Sequence, residues 1–184
     1  MEKLFFASDL HGDAECVCRM LEAYEREGAD KLYLLGDIIY HGPRNALPTG
    51  YNPKAVISML NAVSDKISSV RGNCDAEVDG MVLTFDVLTE SRELTLSGRR
   101  VLLTHGHHTG EGNTDGLSEG DILITGHTHL HAMRELDGGI LYLNPGSVSI
   151  PKGGNERTYM VYEDGTFTLK TLDGEKISSV NITR

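Results

Sequence analysis

Five short apolar runs in this 184-residue chain each stop at a small polar cluster, and every cluster carries side chains that bind metals. KLFFAS (3–8) leads into Asp9-Leu-His11, KLYLL (31–35) into Gly36-Asp37, and KISSV (66–70) into Gly72-Asn73. RRVLLT (99–104) leads into His105-Gly-His107, and DILIT (121–125) into Gly126-His127-Thr-His129. Taken singly, each cluster has an ordinary explanation: a helix cap beside a surface histidine, a turn, a left-handed corner. Five of them at strand ends require a fold that brings the carboxyl ends of several strands together, which is where ligands gather in open α/β sheets.

The segments between the clusters suit that requirement. DAECVCRMLEAYEREGA places Val17, Met20, Leu21 and Tyr24 at helical spacing, and Gly28 closes it. PKAVISMLNAVSD reads as a second helix with Pro53 in its first turn. The polar Gly/Pro/Asn stretch 41–53 is too long for a simple turn, and such loops in compact domains are usually functional. The second half is strand-rich, with hairpins at LTLSGRRVLLTHG and RELDGGILYLNPG and two Asp-Gly turns in the last segment. A βαβαβ half followed by hairpins predicts an α/β protein of two sheets packed face to face with helices outside. A single domain over residues 1–184 fits the length and the ordinary composition, 39% hydrophobic and 24% charged.

Several function classes are excluded at this level. A net charge of −10 without a Lys/Arg cluster argues against stable nucleic-acid binding. No apolar run approaches the ~18 residues of a membrane span, and the apolar stretch before Asp9 is too short for a signal peptide, so a cytoplasmic protein is expected. Cys16, Cys18 and Cys74 form no CxxC pair, so reduced thiols are the default, and a homo-oligomer stays open.

The polar clusters share one chemistry. Carboxylate, amide oxygen and imidazole without thiolates suit manganese, iron or zinc, and the seven candidates Asp9, His11, Asp37, Asn73, His105, His127 and His129 exceed what one tetrahedral ion needs. Two ions about 3.5–4 Å apart would use them all, with one carboxylate bridging. Two divalent ions, two carboxylates and a hydroxide sum to roughly +1, so an acidic protein can hold an anion-binding site.

DLH, GDIIYHG, GNCD, HGH and GHTH, in that order over residues 9–129, resemble the blocks of the calcineurin-like metallophosphoesterases. HGPRNALP in the second loop and NPGSVSIPKGG near the end are similar, more narrowly, to the small bacterial YfcE-type phosphodiesterases. The resemblance implies a four-layer αββα fold, a two-sheet β-sandwich flanked by helices. It implies a metal-dependent phosphoric diester hydrolase with two divalent ions per chain, manganese first, with iron, zinc or nickel as alternatives. Asp9, His11 and His129 would hold one ion, Asn73, His105 and His127 the other, and Asp37 would bridge, with a hydroxide between the ions attacking a small phosphodiester.

Departures from the family pattern are informative. Many relatives read GD-x-x-D-R-G where this chain has GDIIYHG, so His41 stands near a phosphate-binding position, and Arg44 or Lys152 can supply the positive charge. A bidentate guanidinium makes Arg44 the stronger candidate. Relatives carry a general-acid histidine after the Asn, oriented by the next carboxylate; here Cys74 and Asp75 follow Asn73. A thiol with a pKa of about 8.5 is a poorer donor than an imidazolium at about 6.5. The expected activity therefore favours aryl-type leaving groups, unless His107 supplies the proton. Cys74 is equally readable as a small side chain packed under the metal loop. The competing class is a catalytically weak scaffold or binding protein of the same fold.

Overall fold

The computed structural model describes residues 2–183. Its order is β1 (Leu4–Ala7), α1 (Ala14–Glu27), β2 (Lys31–Leu34), α2 (Pro53–Asn61), β3 (Ile67–Ser69), β4 (Ser91–Leu96), β5 (Arg99–Thr104), β6 (Ile122–Ile124), β7 (Ala132–Leu136), β8 (Ile140–Asn144), β9 (Thr158–Glu163), β10 (Thr166–Thr171) and β11 (Lys176–Asn181). Strands β11-β10-β9-β1-β2-β3 make a six-stranded sheet and β4-β5-β6-β8-β7 a five-stranded one. Both are mixed: β1, β2 and β3 run parallel, as do β5, β6 and β8.

Strand periodicity sorts the side chains into three apolar layers. Leu4 and Phe6 of β1, with Met160 and Tyr162 of β9, meet Val101, Leu103, Ile122, Ile124 and Leu143 between the sheets. The alternate residues Phe5, Ala7, Tyr159 and Val161 face outward, under Val17 and Met20 of α1 and Val56 and Leu60 of α2. Leu102, Leu123 and Tyr142 stand in register across β5, β6 and β8 and, with Ile140, form a smaller outer cluster covered by Leu117, Ala132 and Leu136. The sandwich with flanking helices is thus the expected one. Both α-helices pack on the six-stranded sheet, whereas among the described residues the outer cluster of the five-stranded sheet holds no helical residue and is overlaid by Leu117 from the irregular segment between β5 and β6. No helix of the described residues is long and apolar enough to cross a membrane.

Local signals behave as their chemistry demands. Asp13 caps α1 by accepting from the Cys16 N–H at 3.1 Å, and Gly28 ends it in the left-handed conformation at φ 61°. Asn52 caps α2 through the Ala55 N–H, with Pro53 opening the helix. All of the parallel strands point their carboxyl ends toward one edge of the sandwich, so the five clusters arrive at one place.

Candidate active site

The loops that follow the parallel strands extend the sheet ladders into this edge. Asp9 N–H donates to Gly36 O, His11 N–H to Asp37 O, and Gly126 N–H to His105 O, at 3.1, 2.9 and 2.9 Å. Contacts then cross between the two sheets: His105 Nδ1 meets Leu35 O at 2.6 Å, and His127 N–H donates to Asp9 Oδ2 at 3.0 Å. The approach leaves no room for a side chain at Gly126, where a Cβ would lie 1.8 Å from Ser8 Oγ and 2.7 Å from Asp9 Oδ2.

Seven non-glycine residues among those described have positive φ, and five are candidate ligands: Asp9, His11, Asp37, His127 and His129. The other two, Ser97 and Asp164, sit in hairpin turns. Holding a non-glycine residue there costs of the order of 1–3 kcal/mol, a strain that clusters at functional sites. The strain here aims side chains inward.

The inward atoms form two adjoining groups. His11 Nε2 and His129 Nε2 are 3.1 Å apart, and Asp9 Oδ1 lies 3.7 and 3.3 Å from them. Both Nδ1 atoms face backbone carbonyls, Tyr40 O at 2.8 Å and Ile150 O at 2.6 Å. Because a carbonyl only accepts, those partners assign the hydrogens to Nδ1, and in neutral rings the two Nε2 lone pairs point at one another. Asp9 Oδ1 is buried without a hydrogen-bond partner. Three electron-rich atoms converging with no donor among them fit a bound cation. In the second group His105 Nε2 lies 3.1 Å from Asn73 Oδ1 and 3.5 Å from Asp37 Oδ1. Asp37 Oδ2 faces back to His11 Nε2 at 3.7 Å, so its two oxygens look into the two groups. The His127 ring stands 5.0 Å from that of His105.

The charges respond to this crowding. Burial opposes ionisation of Asp9 and Asp37, but neighbouring histidines outweigh it and hold both carboxyls below their usual range. Burial lowers His11, keeping its ring neutral. Burial also pulls His105 down, yet Asp37 and Asp9 prevail and raise it to about 9. Cys74 is pushed up to about 12 by burial and the Asp37 carboxylate.

A cleft of about 370 Å³ opens over the groups, lined by Asp37, Asn73, Cys74, His127 and His129 with Arg44 and Lys152 at its margin. Neither cation has an acidic partner among the described residues. His41 does not line the cleft, because its ring is packed edge-on against Tyr40 and Tyr51 at 4.8 and 5.3 Å. His107 lines a neighbouring cavity, and burial beside His105 and His108 lowers it to about 4.

Sequence reasoning missed the residues that brace the site. Asp75 does not orient Cys74: its Oδ2 accepts from Gly72 N–H at 2.7 Å and Asp37 N–H at 2.9 Å, and its Oδ1 from Ile38 N–H at 2.9 Å. It thereby ties the β2 loop to the β3 loop. Burial pushes its carboxyl up to about 6, against those three donors. Ser147 and Ser149 hydroxyls donate to Asp9 O at 2.8 and 2.9 Å, so the NPGSVS segment supports the first group from behind. In sequence the segment stood out through the resemblance carried by NPGSVSIPKGG, which gave no sign of a brace.

Comparison with known proteins gives the family and the fold. The family model of the calcineurin-like phosphoesterase superfamily domain matches residues 3–165. The chain is 46% identical over 177 residues to Phosphodiesterase YfcE of Escherichia coli K12, covering 96% of each protein. The solved structure of YfcE, a phosphoesterase from E. coli, matches with a TM-score of 0.94 at 45% identity, over 98% of this chain and 100% of that one. Zinc-complexed Vps29 from Entamoeba histolytica shares the fold alone, with a TM-score of 0.61 at 19% identity over 98% and 99% of the chains. With its strand-end clusters assembled at one edge and a family match across most of its length, this chain belongs to the calcineurin-like phosphoesterase superfamily.

Proposed function

We propose that this protein hydrolyses small phosphodiesters with two divalent ions per chain, manganese first among them, and favours aryl leaving groups. The observation that carries the reading is the convergence of His11 Nε2, His129 Nε2 and the unpartnered Asp9 Oδ1 beneath a cleft edged by Arg44 and Lys152. Asp9, His11 and His129 would hold one ion, Asn73, His105 and His127 the other, with Asp37 shared. When bound, such ions supply Lewis acidity to a phosphoryl oxygen and make water a nucleophile near neutral pH. The donors are oxygens and imidazole nitrogens, a set that suits manganese. The similarity to a protein named a phosphodiesterase supports the diester class.

The remaining roles belong to the cleft wall. Arg44 and Lys152 attract and orient the anionic substrate, and Arg44 can do so with two parallel hydrogen bonds. The backbone clamps through Asp75, Ser147 and Ser149 hold the ligand-bearing loops in position. Apart from candidate ligands, no imidazole lines the cleft among the described residues, and Cys74 occupies the wall instead. A leaving oxygen therefore finds no imidazolium, which costs most for alkoxides; general acid catalysis is typically worth about 10²–10⁴-fold.

The deciding experiment measures manganese content and turnover on aryl diesters, alkyl diesters and monoesters. Aryl diesterase activity that requires manganese and is lost in Asp37→Asn is expected. Stoichiometric manganese without turnover of any phosphoester would replace the enzyme with the scaffold reading.

A further inference from the structure

Next to His105 lies a second cluster that the proposed reaction does not use and that borders a different cavity from the substrate cleft. Glu90, His107 and His108 each offer a ligand atom within 4.8 Å of the other two. They line a cavity of about 370 Å³ that His105 also borders, so the cavity adjoins the main centre.

The placement follows from strand register and a braced turn. Ser91 of β4 pairs with Thr104 of β5, which sets Glu90 beside the turn that begins at His105. Thr104 Oγ1 donates to Thr109 O at 2.7 Å and closes that turn. Gly110 and Asn113 exchange backbone hydrogen bonds of 3.0 Å, and Asn113 Nδ2 donates to His108 O at 3.3 Å. The His107 and His108 rings are thus held together, centroids 4.0 Å apart. His107 Nδ1 is buried and has no hydrogen-bond partner among the described residues. Glu90 Oε1 contacts Arg71 Nη1 at 3.3 Å, an exposed pair of the weak kind, and its second carboxylate oxygen makes no hydrogen bond among the described residues.

We propose that Glu90, His107 and His108 form a separate binding site for a zinc-class divalent cation, with water completing a tetrahedral set. Two imidazoles and one carboxylate suit a borderline ion, and zinc sites with three protein ligands keep an open fourth position. Affinity at such a set rises from manganese toward nickel, copper and zinc, so the site discriminates against the ion expected in the main centre. Arg71 competes for Glu90 and weakens the site.

The test uses the full chain, equilibrated by dialysis at micromolar free zinc or manganese and then analysed for metal. His108→Ala and Glu90→Gln lie at exposed positions, and circular dichroism checks their fold. Each variant is expected to retain one zinc fewer per chain than wild type, with manganese content unchanged, and Arg71→Ala is expected to bind that zinc more tightly. A cobalt-loaded wild-type minus His108→Ala difference spectrum should show tetrahedral visible bands. Equal zinc contents in wild type and both variants would overturn the site, whatever the occupancy of the main centre. Loss of manganese along with zinc would overturn its separateness.

Discussion

Replacing Asp75 by Asn tests whether the candidate site depends on a clamp rather than on its ligands alone. In the wild type one carboxylate serves three buried N–H groups: Gly72 and Asp37 on Oδ2, Ile38 on Oδ1. An amide oxygen placed at the Oδ2 position keeps two of them, as neutral rather than charge-assisted bonds. Its NH₂ then faces the Ile38 N–H, donor against donor. One buried N–H left without an acceptor costs about 1–3 kcal/mol, and weakening two charge-assisted bonds costs about 1 kcal/mol each. Relief from burying a charge offsets part of this, leaving a net loss of roughly 2–4 kcal/mol. For a chain of this size, that is a drop in Tm of about 4–16 °C. Urea unfolding of the metal-free variant measures the loss, and manganese titration measures whether the Asp37 and Asn73 loops have come apart. Stability within about 0.5 kcal/mol of wild type would refute the clamp. A clear stability loss with unchanged manganese affinity would refute its role in positioning the site.

Cys74→His restores an imidazole to the cleft wall and is expected to raise turnover of alkyl diesters by up to ~10²-fold while changing aryl diesters little; rate against leaving-group pKa reads this out. In the metal-free protein, the proton on His105 stabilises fully below about 6.5 and fades as pH rises through about 9. Metal binding there must displace that proton, so titrations near neutral pH should release it, and chelation should lower Tm. Glu27, at the end of α1, holds Lys170, Tyr159 and Lys3 and is lowered to about 2 by them against the effect of burial. Its contribution is present above about 4.5 and lost as pH falls toward about 2, and a Glu27→Gln variant should show a flatter acid unfolding profile over that range.

The metal-capable side chains were legible because each ends a short apolar strand, and a strand's carboxyl end is a position that local pattern reveals. The helices were legible through their 3.6-residue spacing and their Asp13, Asn52, Pro53 and Gly28 signals. The hairpins showed in their glycine turns. His41 and His107, set apart from the seven ligand candidates as a substrate contact and a proton donor, both lie off the cleft, and nothing local in sequence separates a ring packed between Tyr40 and Tyr51 from one aimed into a cleft. The order of strands in each sheet was not readable either: β9 pairs with β1, and β8 enters between β6 and β7, through contacts far apart in the chain.

By itself, then, the sequence determined which residue types reach the strand ends, and hence that metal chemistry was available. Tertiary structure decided which of them share a space. Long-range hydrogen bonds, within the six-stranded sheet's loops and between the sheets, surround five non-glycine residues in left-handed conformations that isolated segments rarely adopt, and Asp75, Ser147 and Ser149 secure the loops that bear them. The physical reason is range: strand period and helix spacing act over a few residues, whereas His11 and His129 are brought within 3.1 Å only by the packing of two sheets.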